Sequence, residues 1–68
     1  MKPCIWCGVA TDTRFIPEAR PELGPQPLHI LCAGQLILAY EAILAGRTLT
    51  TRQAERMKRL NGAHAALT

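Results

Sequence analysis

Hydrophobic and polar positions divide the chain into a broken, turn-rich first half and a helical second half. Cys4 to Gly8 reads as a tight turn, and Thr11 to Ile16 has the β-branched and aromatic content of a short strand. Pro17, Pro21, Pro25 and Pro27, with Gly24 among them, forbid continuous helix or central strand from 17 to 27, which predicts an extended or turning loop. Leu28 to Leu31 is expected to form a brief second strand, closing a hairpin with residues 13 to 16 around that loop.

From about Cys32 to Ala45 the residues are mostly strong helix formers, Gly34 is the one breaker, and Gly46 stands where a C′ glycine ends a helix. Leu36, Ile37, Leu38, Ala39, Tyr40, Ala42, Ile43, Leu44 and Ala45 put apolar side chains in every direction around this axis, against Gln35 and Glu41 alone as polar ones. A helix apolar all round needs cover all round, and one hairpin and one further helix are too little to supply it. Leu36, Ile37, Tyr40, Ile43 and Leu44 are therefore expected to form an association face for a second copy or a host protein. Arg47-Thr48-Leu49 connects onward to a capping box, Thr50 with Gln53 three residues later and Leu49 at the staple position. The second helix is predicted over roughly Thr51 to Leu60, and Asn61-Gly62 is a poor pair for carrying it into Ala63 to Leu67. Met57, Leu60 and His64 fall on one side of it, with Ala54 at the margin, and Arg52, Arg56 and Arg59 on the other.

Length changes the weight of these elements. At 68 residues a single domain over 1–68 is expected, divided into a metal-binding part at 1–46 and a basic C-terminal helix at 47–68. A chain of this size buries only about 60% of its unfolded surface, so a staple or a partner is needed to hold it. With 49% apolar but only 4% aromatic residues, aliphatic and alanine side chains must carry the packing.

Charge is concentrated in one segment. Arg47, Arg52, Arg56, Lys58 and Arg59 against Glu55 give +4 over positions 47 to 59, and the remainder of the +3 chain sums to −1. Such a stripe suits a phosphate-bearing partner, since each arginine can grip one phosphate bidentately; it equally suits a solvated helix face. Trp6, Phe15 and Tyr40 all lie outside it, so no aromatics are interleaved for base stacking.

The staple is legible in Cys4-x2-Cys7, twenty-one intervening residues, and His29-x2-Cys32. Zinc takes four such soft or borderline ligands at about 2.0 to 2.3 Å, and an x2 spacing lets two side chains of one turn converge on one ion. Gly8, directly after Cys7, allows the positive φ with which such a turn aims backbone N–H groups at the sulfurs. A Cys4–Cys7 redox pair is the alternative, but it requires a βαβ scaffold that has no room here. His29 is preferred to His64 as fourth ligand because it repeats the spacing of the first pair. One structural Zn2+ is the expected cofactor.

Cys4-Ile5-Trp6-Cys7-Gly8, a hairpin with a long turn, and a ligand pair leading into a helix together resemble a treble-clef zinc finger. The likeness runs from Cys4 to about Leu44 and is greatest to the ClpX-type N-terminal zinc-binding domain, in which a Cys-x2-Cys-Gly knuckle precedes a second pair and an apolar helix. His29 stands where that family has cysteine, and the loop here is longer and proline-rich. The resemblance implies a closed structural zinc, dimerisation through helices and binding of other proteins.

Catalysis finds no footing. A zinc with four protein ligands has no open position for water, serine is absent, and no Gly-rich phosphate loop occurs. Pro3-Cys4-Ile5-Trp6-Cys7 matches half of the zinc deaminase signature, but the half bearing the catalytic glutamate is missing. Three cysteines without an apolar leader before them, and no apolar run of the ~20 residues that span a bilayer, lead us to expect a soluble, reduced, cytoplasmic protein with no membrane and no small-molecule substrate. The expected fold is a small α+β zinc-stapled domain, a treble clef plus a C-terminal helix. The expected function is that of a dimeric, non-enzymatic protein-interaction module, a small regulator or adaptor, with a nucleic-acid-binding regulator as the alternative.

Overall fold

A computed structural model describes residues 1–67, with side chains through residue 62. Four two-residue strands and two helices follow one another as β1 (Lys2–Pro3), β2 (Ala10–Thr11), β3 (Arg14–Phe15), β4 (Gln26–Pro27), α1 (Ile30–Leu44) and α2 (Thr51–Leu67). The strands form two separate antiparallel pairs, β1 with β2 (Lys2 opposite Thr11) and β3 with β4 (Arg14 opposite Pro27). The first pair clamps the two arms of the Cys4–Gly8 turn, and the second brings the proline loop back beside it.

The single strand expected at 11–16 is broken in two. Thr11 Oγ1 accepts the Thr13 N–H at 3.1 Å, and the Thr13 hydroxyl reaches Leu28 O at 2.8 Å. Such local side-chain bonds compete with a ladder and bend the chain, so each half pairs with a different strand. The hairpin forms, but on Gln26–Pro27 rather than on residues 28 to 31. Pro27 is tolerated because a two-stranded pair consists of edges and leaves its missing N–H unneeded. Leu28 still donates to Thr13 O at 3.1 Å, and the chain then turns directly into α1, whose first bond runs from Ala33 N–H to His29 O at 2.9 Å. The helix therefore starts at Ile30, two residues ahead of the expected Cys32.

Helix ends follow the sequence closely. Gly46 has φ +73°, its N–H donates to Ile43 O at 3.0 Å, and Arg47 N–H donates to Ala42 O at 2.8 Å, the paired bonds of a Schellman stop. At the start of α2 the box is reciprocal, with Gln53 N–H on Thr50 Oγ1 at 3.1 Å and Thr50 N–H on Gln53 Oε1 at 2.9 Å. Asn61-Gly62 does not end α2, which continues to Leu67.

One cluster of buried side chains serves both halves. Trp6, Leu28, Leu36 and Leu60 are fully buried, joined by Ile5, Leu23, Ala39 and Met57, while Phe15, Tyr40 and Leu49 pack against them half-buried. The proline loop contributes buried Pro17 and Leu23 and a 3-10 turn over Pro21–Leu23. Arg20 fastens that loop by donating to Tyr40 Oη at 3.0 Å and to Asn61 Oδ1 at 3.4 Å. Among the described residues no helix is long and apolar enough to cross a membrane.

Candidate metal centre

The Cys4–Gly8 turn is built by backbone bonds. Cys4 N–H donates to Val9 O and Gly8 N–H to Cys4 O, both at 2.9 Å, and Gly8 takes φ +83°, which closes the knuckle. Ile5 N–H donates to Pro27 O at 3.0 Å, tying the knuckle to β4, two residues before His29. His29 caps α1 in extended conformation and Cys32 lies in its first turn, so hairpin and helix start together deliver the second ligand pair.

These elements gather Cys4, Cys7, His29 and Cys32 with all ligand atoms within 4.8 Å of one another. His29 presents Nδ1, which lies 3.4 Å from Cys7 Sγ and 3.6 Å from Cys32 Sγ. A tetrahedral ion with sulfur at 2.3 Å and nitrogen at about 2.05 Å has S···N edges of about 3.6 Å, so the imidazole stands where such an ion needs it. Cys4 and Cys32 are buried and Cys7 and His29 half-buried. The four side chains can hold one metal ion. His64, the other histidine, lies outside the residues whose side chains are described.

Electrostatics divide the thiols. Burial opposes ionisation of Cys4, but N–H donors of Cys7, His29 and Trp6 and the His29 side chain outweigh it and pull the thiol from 9.0 down to about 6. Trp6 N–H stands 3.4 Å from Cys4 Sγ. Burial first, then the neighbouring Cys7 and Cys4 sulfurs, push Cys32 up to about 12. Cys4 is thus poised to ionise near neutral pH, and Cys32 must give up a proton when an ion enters.

The other two predicted sets are reshaped. Leu36 is fully buried beneath α1 and belongs to the core, because its position on the helix faces Trp6 and Leu60 rather than solvent. Ile37 and Tyr40 are half-buried, and Ile43 and Leu44 are exposed, Leu44 at 87%. The outward face extends beyond the expected set to Ile30, Leu31 and Leu38, at 72%, 77% and 60% exposure. Ile30 and Leu31, expected in a strand, begin the helix instead and share its outer side with Leu38. With Val9 they line a groove of about 520 Å3 beside His29 and Cys32.

The arginine stripe separates into individuals. Arg47, Arg52 and Lys58 are exposed, but Arg56 is half-buried and donates to Gln35 Oε1, which also accepts the Trp6 indole N–H at 3.2 Å. The guanidinium of Arg59 lies over Gly8. Arg56 and Arg59 therefore do not simply point away from the fold, as the helical spacing led us to expect. Nothing in the spacing of the chain signals either contact, because both join segments far apart in sequence. Comparison with protein-family models, with curated proteins and with solved structures finds no match for this chain.

Proposed function

We propose that the chain is a zinc-stapled treble-clef module without catalytic activity, acting in the cytoplasm by binding a protein surface through the outward side of α1, as a homodimer or with a host partner. The carrying observation is the ligand cluster, four ligand atoms within 4.8 Å of one another. Three thiolates and an imidazole favour zinc over the oxygen-seeking Mg2+ and Ca2+, and four protein ligands fill a tetrahedral shell. Knuckle, β3–β4 hairpin and the start of α1 follow one another as in a treble clef, and Cys4-x2-Cys7-Gly8 with an apolar helix is what supports the ClpX-type likeness. Ile30, Leu31, Leu38 and Leu44 together expose more aliphatic surface than a lone small domain has use for.

Metal analysis should find one zinc in each chain, lost in Cys32→Ser. Light scattering should find a dimer, with Leu38→Glu and Leu44→Glu monomeric and still folded, because neither side chain belongs to the core. A folded chain free of zinc overturns the metal reading. A monomer at high concentration that also retains no partner overturns the association reading.

The second reading, nucleic-acid binding, draws on Arg52 and Arg56, which line one crevice of about 170 Å3 with Thr50, Gln53 and Trp6, while Arg47 and Lys58 stand exposed nearby on the chain. Three phosphate contacts would give a slope of about −3 in log affinity against log salt on duplex DNA, and Arg52→Ala should flatten it by about one unit. No binding at low salt ends this reading.

A further inference from the structure

Arg59 lays its guanidinium against the closing glycine of the knuckle. A Cβ built on Gly8 would meet its Cζ at 2.7 Å, so the planar guanidinium rests where only a hydrogen leaves room for it. Gly8 follows Cys7 directly and sits at φ +83°, at the closure of the turn that holds two of the four ligands. Among the described residues no carboxylate pairs with Arg59; the one ion pair there joins Arg20 and Glu22. A cation lying on a ligand turn without an acidic partner calls for a source of negative charge.

The metal centre supplies it. Three thiolates and a neutral imidazole around a divalent ion leave a net charge of −1, and Cys7, only half-buried, carries part of it toward the surface beside Gly8. We propose that Arg59 is an outer-sphere partner of the metal centre, latching α2 onto the knuckle and offsetting the negative charge of the loaded site. The proposal rests on the zinc reading above and deepens it, since metal affinity and the seating of α2 become linked through one side chain. It also withdraws Arg59 from the phosphate-binding set.

Arginine suits the position better than lysine does, because a flat guanidinium can lie on a glycine as a compact, strongly hydrated ammonium cannot. Outer-shell partners of structural metals commonly contribute 10- to 100-fold in metal affinity. Arg59 is exposed and water screens it, so the lower end of that range applies.

Zinc affinity of the full chain, measured by chelator competition, tests the proposal. Arg59→Ala should bind zinc about tenfold more weakly, Arg59→Glu more weakly still, and Arg59→Lys between Ala and the wild type. Raising salt from 0.1 M to 1 M shortens the Debye length from about 10 Å to about 3 Å, so the differences should shrink. Lys58→Glu makes the same change in net charge one residue away, off the knuckle, and should stay within about twofold of the wild type if the effect is local. Helical circular dichroism should be the same in all variants at saturating zinc. Arg59→Ala and Arg59→Glu binding zinc like the wild type, or Lys58→Glu matching Arg59→Glu, would overturn the latch while leaving the zinc reading intact. A wild-type chain that takes up no zinc overturns both.

Discussion

The knuckle and the outer side of α1 are held by opposite kinds of force. Around the knuckle, polar atoms are assigned one by one, Cys4 N–H to Val9 O, Gly8 N–H to Cys4 O, Ile5 N–H to Pro27 O and Trp6 N–H to Cys4 Sγ. On the outer side of α1, Ile30, Leu31, Leu38 and Leu44 meet solvent, and burial of such surface rewards contact without directing it. A short chain with one tryptophan and few other aromatic side chains gains little rigidity from ring packing. Directional bonds around the knuckle supply that rigidity at one end, and aliphatic surface is left exposed at the other.

Losing the metal should break the directional end completely. Chelation, or Cys4→Ser, is expected to abolish the cooperative melt followed by circular dichroism, because in small zinc domains metal binding and folding are one event. A chelated chain that melts as before would show that the apolar cluster suffices by itself, and the contrast between the two ends would vanish.

Acid should reach the same end point by another route. Cys4, depressed to about 6 in the fold against 9.0 for a free thiol, favours the folded state fully above pH 9, and that contribution declines as pH falls and is gone below about 6. The dependence of log zinc affinity on pH, followed with a competing colorimetric indicator, should therefore steepen by about one proton as pH drops through about 6. A slope unchanged across pH 6 would place the ionised sulfur elsewhere.

Leu60→Ala probes the packed side instead. Removing a fully buried leucine side chain should lower stability by about 2 to 5 kcal/mol and loosen α2, with the zinc still bound at the knuckle. Denaturant melts of the zinc-loaded variant, paired with metal analysis, read the two effects separately. Loss of zinc equal to that of Cys4→Ser would mean that the knuckle cannot hold its ion once the apolar cluster is loosened. Thr50→Ala is the smallest test, removing one half of the reciprocal box for about 1 kcal/mol of helix stability and leaving zinc content unchanged.

What could be read in advance follows the same division. Gly46 and the Thr50–Gln53 pair announced their helix ends because capping is written in residues adjacent in sequence. The clustering of Cys4, Cys7, His29 and Cys32 was legible because Cys4-x2-Cys7 and His29-x2-Cys32 each keep two donors on one turn. The hairpin register was not, since Thr11 Oγ1 bends the chain through a bond that residue preferences do not encode. Leu36 looked like its neighbours on an all-apolar helix, where no polar stripe marks the inward side. Arg56 on Gln35 and Arg59 on Gly8 depend on how α2 docks, which no local pattern specifies.

Trp6 stands between the first two ligands, fully buried, with its indole N–H on Gln35 of α1, and it is the chain's sole tryptophan. Its fluorescence therefore comes from the hinge between metal turn and helix, with no other indole to blur it. If the turn opens when an ion leaves the cluster, the ring would be wetted and the emission should shift to the red. On the zinc reading, that shift would serve as an optical gauge of metal occupancy, readable in dilute solution without a label.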